Sequence, residues 1–144
     1  MAEMGSIVNV LERTQLFRGL KRRQLEGLAQ RFVEREYAAG QAVVSQGQGG
    51  EGFFIVISGA ADAIYKRADE TEVTLNSFGP GDFFGELAVL TDSMRTASVV
   101  ATKPTHCIVL TRWDLLGLLR SDADMAVAVL QQLAARFSQA LARM

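Results

Sequence analysis

The chain has 144 residues, 49% hydrophobic and 22% charged, with a formal net charge of −1, the profile of a globular domain large enough for one core. That near-neutral balance argues against a broad footprint on nucleic-acid backbone, and a single cysteine excludes an intrachain disulfide. The start MAEMGSIVNV lacks a signal-peptide pattern and no apolar run reaches the length of a membrane span, so a soluble cytoplasmic domain is the expectation.

Between Ser6 and Glu36 the apolar residues fall at helical spacing: Val10 and Leu11, then Leu16, Phe17 and Leu20, then Leu25, Leu28, Ala29 and Phe32. The last four follow the pattern of an amphipathic helix, and Gly19 divides the stretch. Residues 6–36 are therefore predicted to form short N-terminal helices, with Lys21, Arg22 and Arg23 on a solvated face.

From Tyr37 to Leu110 the texture changes. Short apolar runs (QAVVS, GFFIVISG, DAIYK, EVTLNSF, ASVVA, HCIVL) alternate with glycine turns, and Pro80-Gly81 is a strong turn signal. Short strands at this spacing predict a small antiparallel barrel or jelly roll over residues 37–110. From Arg112 the helical period returns. WDLLGLL predicts a short helix, SDAD supplies N-cap residues, and Met125 to Met144 contains neither Gly nor Pro. Within it Ala126, Leu130, Leu133, Phe137, Ala140 and Met144 form a heptad stripe, suited either to packing on the chain's own barrel or to a dimer helix or lid. The predicted fold class is mainly β with flanking helices: an antiparallel β jelly-roll barrel between N-terminal helices and a C-terminal helix pair.

The stretch FFGELAVLTDSMRTASV, from Phe83 to Val99, concentrates the chemistry. Gly85 lets the backbone approach a ligand or adopt a conformation barred to other residues. Glu86 to Leu90 is helix-forming sequence, predicting one short turn whose first amides are unpaired. Arg95 can grip two phosphate oxygens through its guanidinium fork, and Thr96 adds a hydroxyl. A carboxylate repels phosphate, so Glu86 fits only if it accepts from a sugar hydroxyl while Arg95 takes the anion, as acidic residues do on ribose in dinucleotide sites. From the residues alone the plainer reading is a surface salt bridge, with a sugar phosphate as the ligand the pattern would fit.

The segment GDFFGELAVLTDSMRTASVVA resembles the phosphate-binding cassette of the cyclic nucleotide-binding domain family, with the family's spacing between its Glu and Arg. LFRGLKRRQLEGLA, YAAGQAVVSQGQGGEGFFIVISGAADAIYK and LNSFGPGDFFGEL resemble its helix, barrel and turn signatures, so the likeness covers most of the chain. The resemblance implies a single cyclic nucleotide-binding domain over 1–144: helices in 6–36, a barrel over 37–110 with the cassette at 83–97, and helices over 112–144. It implies that Gly85, Leu87 and Ala88 present backbone amides to the cyclic phosphate and ribose. Glu86 would bind the ribose 2′-hydroxyl and Arg95 the exocyclic phosphate oxygens. Thr96 stands where the family carries Ala, Ser or Thr, a position that touches phosphate and sometimes the base. It leaves the base open, with cyclic AMP favoured over cyclic GMP. Asp92 and Met94 depart from a common cassette form, which has Gly and Pro there.

Catalysis has few candidates. His106 and Cys107 are adjacent on a predicted strand, so their side chains point to opposite faces and make a poor dyad. One His and one Cys also argue against a metal site, and Gly47 to Gly52, without a following Gly-Lys-Ser/Thr, reads as a turn and not a P-loop. The expectation is a module without enzymatic activity, metal or cofactor beyond its nucleotide ligand, in which ligand draws the cassette inward and the C-terminal helices re-pack, Leu87 and the helix from Trp113 to Leu119 sensing the movement. The expected partner is the nucleotide, and pairing of a second copy through the C-terminal helix stays open beside packing of that helix on the chain's own barrel. DNA reading is not expected, since the residues after Phe137 leave no room for a helix-turn-helix. The alternative is a degenerate domain of the same kind that serves as a protein-interaction or dimerisation module.

Overall fold

The computed structural model describes residues 4–49, 52–91 and 94–144, apart from the side chains of Met4 and Leu87. Asp92, and Gly50 and Glu51 within the Gly47–Gly52 run, lie outside the described residues. The chain divides into two compact units, Phe32–Arg112 and the combination of Met1–Arg31 with Trp113–Met144.

The first unit is built of strands: β1 (Val33–Tyr37), β2 (Ala42–Val44), β3 (Gly52–Ser58), β4 (Ala61–Lys66), β5 (Glu72–Phe78), β6 (Phe83–Phe84), β7 (Ser98–Ala101) and β8 (Thr105–Thr111), with the six-residue helix α3 (Glu86–Thr91) after β6. They pair antiparallel into two four-stranded sheets, ordered β1-β8-β3-β6 and β2-β7-β4-β5. This is the mainly antiparallel β architecture with flanking helices that the glycine-punctuated runs predict. The sheets meet over a shared apolar cluster: Phe54, Val56, Phe84 and Cys107 come from one, Ala61, Ala63 and Val99 from the other. Central position explains composition. GFFIVIS of β3, flanked by β8 and β6, is buried from Gly52 to Val56, whereas EVTLNSF of edge strand β5 is mostly exposed. The Gly79–Asp82 turn delivers β6 to β3: Pro80 presets its first central φ, Gly81 takes φ +91°, and the Asp82 carboxylate accepts from the Gly79 N–H at 2.8 Å.

The second unit is helical: α1 (Met4–Arg13), a 3₁₀ turn (Gln15–Phe17), α2 (Arg22–Ala29), α4 (Arg112–Ser121, its first residue belonging to the other unit) and α5 (Ala123–Ala142). Gly19, at φ +90°, makes the break between the N-terminal helices. The buried Gln24 accepts from the Lys21 N–H at 2.8 Å and donates to Asp122 at 3.0 Å, and Asp122 accepts from the Met125 N–H at 3.1 Å as the N-cap of α5. Helix over 6–36 needs correction. It stops at Ala29, Phe32 is buried outside any helix, and Val33–Tyr37 is strand β1. The period changes there because VEREY pairs residue for residue with β8, Val33 opposite Val109 and Tyr37 opposite Thr105.

Candidate functional site

The residues singled out in the sequence sit where β6 hands over to α3 and where the chain re-enters at β7. Phe83 and Phe84 pair with Ile55 and Phe54 of β3, and the rings of Phe54 and Phe84 stack at 5.0 Å with 5° between planes. This aromatic anchor fixes the residue that follows. Gly85 adopts φ +94°, and a Cβ there would meet the Gly52 carbonyl oxygen at 2.6 Å and Arg95 Nη1 at 2.7 Å. Only glycine fits, both by conformation and by space.

Glu86 opens α3 and is buried, as are Ala88 and Val89, and the Val89 N–H donates to the Gly85 carbonyl at 3.2 Å. Arg95 reaches the same place from the other side. Its backbone is pinned to the β2–β3 loop, its N–H donating to the Gln48 carbonyl at 2.7 Å and its carbonyl accepting from the Gly47 N–H at 2.8 Å. Its side chain is 7% exposed and lies 5.8 Å from the centre of the Phe54 ring. Nη2 donates to the Gly52 carbonyl at 2.6 Å. Among the described residues, Nε has no hydrogen-bond partner.

The electrostatics follow from this burial. Loss of water pulls the Arg95 guanidinium below its ordinary pKa, and the Glu86 carboxylate acts in the opposite direction. Arginine stays charged under such pressure, so the site presents a fixed cation with a donor directed at no acceptor of the described protein. Such an arrangement can take an anion and a hydroxyl side by side: the guanidinium for the first, the carboxylate for the second.

Gly85, Glu86 and Arg95 are thus brought together. Ala88 lies a half-turn along the short helix, Thr96 is exposed next to Arg95, and the Leu87 side chain lies outside the described residues. Sequence reasoning missed Gly52, whose carbonyl orients the guanidinium, and the backbone of Gly47 and Gln48. The glycine-rich run opposite the cassette is their one sequence signal, and in the sequence it reads as a turn. His106 is 3.3 Å from Glu34 across the β1–β8 pair, and burial pushes the Cys107 thiol up to about 11.

A family model for the cyclic nucleotide-binding domain matches residues 34–122. The chain belongs to the cyclic nucleotide-binding domain family. Among its relatives in that family, the cyclic AMP receptor protein of Thermus thermophilus is 33% identical over 125 residues, covering 87% of this chain and 58% of that protein. The cAMP-dependent protein kinase regulatory subunit of Yarrowia lipolytica is 34% identical over 113 residues, covering 78% of this chain and 28% of that one. The solved catabolite activator protein of Thermus thermophilus superposes on this cyclic nucleotide-binding domain with a TM-score of 0.78 at 32% identity, over 90% of this chain and 61% of that one. The chain therefore spans less than two thirds of the length of each. Among the described residues, no helix is long and apolar enough to cross a membrane, and no three His, Cys, Asp or Glu side chains cluster as metal ligands would.

Proposed function

We propose that the chain, a single domain over residues 1–144, binds a cyclic nucleotide at Gly85, Glu86, Leu87, Ala88, Arg95 and Thr96 and works as a non-catalytic regulatory module. The observation that carries the reading is Arg95: a buried guanidinium whose Nη2 donates to the Gly52 carbonyl and whose Nε has no partner among the described residues, with the Glu86 carboxylate favouring its charge. A cyclic phosphate supplies the missing acceptor, and its ribose 2′-hydroxyl supplies a donor for the carboxylate. Backbone amides of Gly85, Leu87 and Ala88 complete the phosphate contacts. Cyclic AMP is the favoured ligand over cyclic GMP, because two relatives of about one-third identity are named for cyclic AMP. Thr96, exposed at the cassette's end, is compatible with either base.

Ligand shifts a pre-existing equilibrium by drawing the cassette inward and re-packing the C-terminal helices. Homodimerisation through α5 belongs to this reading, since Val127, Leu130, Phe137 and Leu141 are each at least half exposed on that helix. Calorimetric titration of cyclic AMP, then cyclic GMP, into protein refolded to strip carried ligand tests it. One site per chain with micromolar or tighter affinity supports the reading, and the ratio of affinities assigns the base. No heat and no thermal shift with either nucleotide overturns it in favour of a degenerate domain acting through α5.

A further inference from the structure

Arg112 is the last residue of the strand unit and the first of α4, and the boundary between the two units falls at its bond to Trp113. Its Nε donates to the Val89 carbonyl at 3.0 Å, and Val89 lies in α3, the helix that begins at Glu86. Carbonyls in the last four residues of a helix find no donor within it, and the dipole favours a cation at that end. Val89 is also fully buried, and its N–H holds the Gly85 carbonyl at 3.2 Å. A single residue is therefore hydrogen-bonded toward the cassette glycine at its N–H and toward Arg112 at its C=O. Gly85 in turn lies against Arg95, with only 2.7 Å between a built Cβ and Nη1. Any shift of α3 on ligand binding moves the Val89 carbonyl and pulls on the side chain of the residue that starts α4.

We propose that Arg112 is a positioning residue that couples occupancy of the cassette to the first turn of α4, without touching the ligand. The inference rests on the cyclic-nucleotide reading above. The chain carries its own reporter, since its one tryptophan is Trp113, adjacent to Arg112 and 74% exposed.

The test compares the wild type with Arg112→Met, which keeps apolar length but removes the donors, and with Arg112→Lys, which keeps a cationic donor. Cyclic AMP affinity is measured by calorimetry, folding by thermal melt, and the junction by Trp113 emission on titration with cyclic AMP. The expected result is a ligand-dependent emission change in the wild type, lost for the most part in Arg112→Met and restored for the most part in Arg112→Lys, with cyclic AMP still bound at one site per chain in all three. A full emission change in Arg112→Met overturns the proposal. So does a wild type that binds cyclic AMP with no emission change, or loss of folding in both variants, which makes Arg112 structural. A wild type that gives no heat with cyclic AMP instead removes the cyclic-nucleotide reading itself, a separate failure read from the calorimeter and not from the fluorimeter.

Discussion

Arg95 is the residue on which the proposed site's chemistry turns. A buried donor without a partner costs a fold about 1–3 kcal/mol, so such a group persists where a ligand recovers the loss. Charge-assisted bonds from Arg95 are worth roughly 1.5–3 kcal/mol each, and Arg95→Ala is expected to weaken cyclic AMP binding by about tenfold or more while the fold survives. Calorimetry with a matched thermal melt checks this, and unchanged affinity would remove Arg95 from the site. Gly85 makes a sharper demand. Gly85→Ala introduces a Cβ 2.6 Å from the Gly52 carbonyl and 2.7 Å from Arg95 Nη1, at φ +94°. The backbone cannot yield as a flexible side chain would, so this one methyl is expected to destabilise the protein by more than about 1 kcal/mol and to displace the guanidinium. A lower melting temperature together with binding at least as poor as that of Arg95→Ala is the expected outcome.

Among the elements, α5 shows how a helix end is set by a partner distant in sequence. Asp122 caps it through the Met125 N–H, and its other oxygen accepts from Gln24 of α2. The Gln24 side-chain bond, then the Met125 backbone bond, hold the Asp122 carboxyl below the usual aspartate range. A depressed folded-state pKa contributes stability above the unfolded value and loses it as pH falls through the folded one. Asp122→Ala is therefore expected to lower the melting temperature at pH 7, with the gap to wild type closing as pH drops below about 4. A gap that stays constant down to pH 2 would assign the effect to packing instead of the cap. Further along α5, Met125 and Val129 are buried while Leu130 and Phe137 are 62% and 66% exposed, so the heptad stripe of the sequence lies largely on the open side. Sedimentation equilibrium of Leu130→Asp/Phe137→Asp against wild type tests that face: a wild-type dimer reduced to monomer fits pairing through α5, and two identical monomers exclude it.

At the scale of the molecule, the two units divide labour that the sequence already hinted at. Glycine-punctuated runs became the strand unit, and the segments of helical period at both ends of the chain became the other. Most strands were legible to within a residue or two because turn chemistry at Gly40, Gly47, Gly59 and Gly81, all at positive φ, is local. The end of α2 was not. Leu25, Leu28, Ala29 and Phe32 keep a helical beat past the point where the helix stops, and only pairing of VEREY with β8 decides that residues 33–37 extend. Phe32 is buried either way, so hydrophobic periodicity could not distinguish the two outcomes.

The sequence by itself determined the class of fold and singled out Gly85, Glu86 and Arg95 as candidates, because side-chain period, turn residues and motif spacing are properties of neighbouring positions. Tertiary structure alone decided that Arg95 would be buried, that its Nη2 would be held by the carbonyl of Gly52, 43 residues away, and that Arg112 would reach the Val89 carbonyl. Those contacts run to main-chain oxygens. Nearly every residue carries the same carbonyl, so no pattern of side chains can announce which one a folded chain will bring within reach.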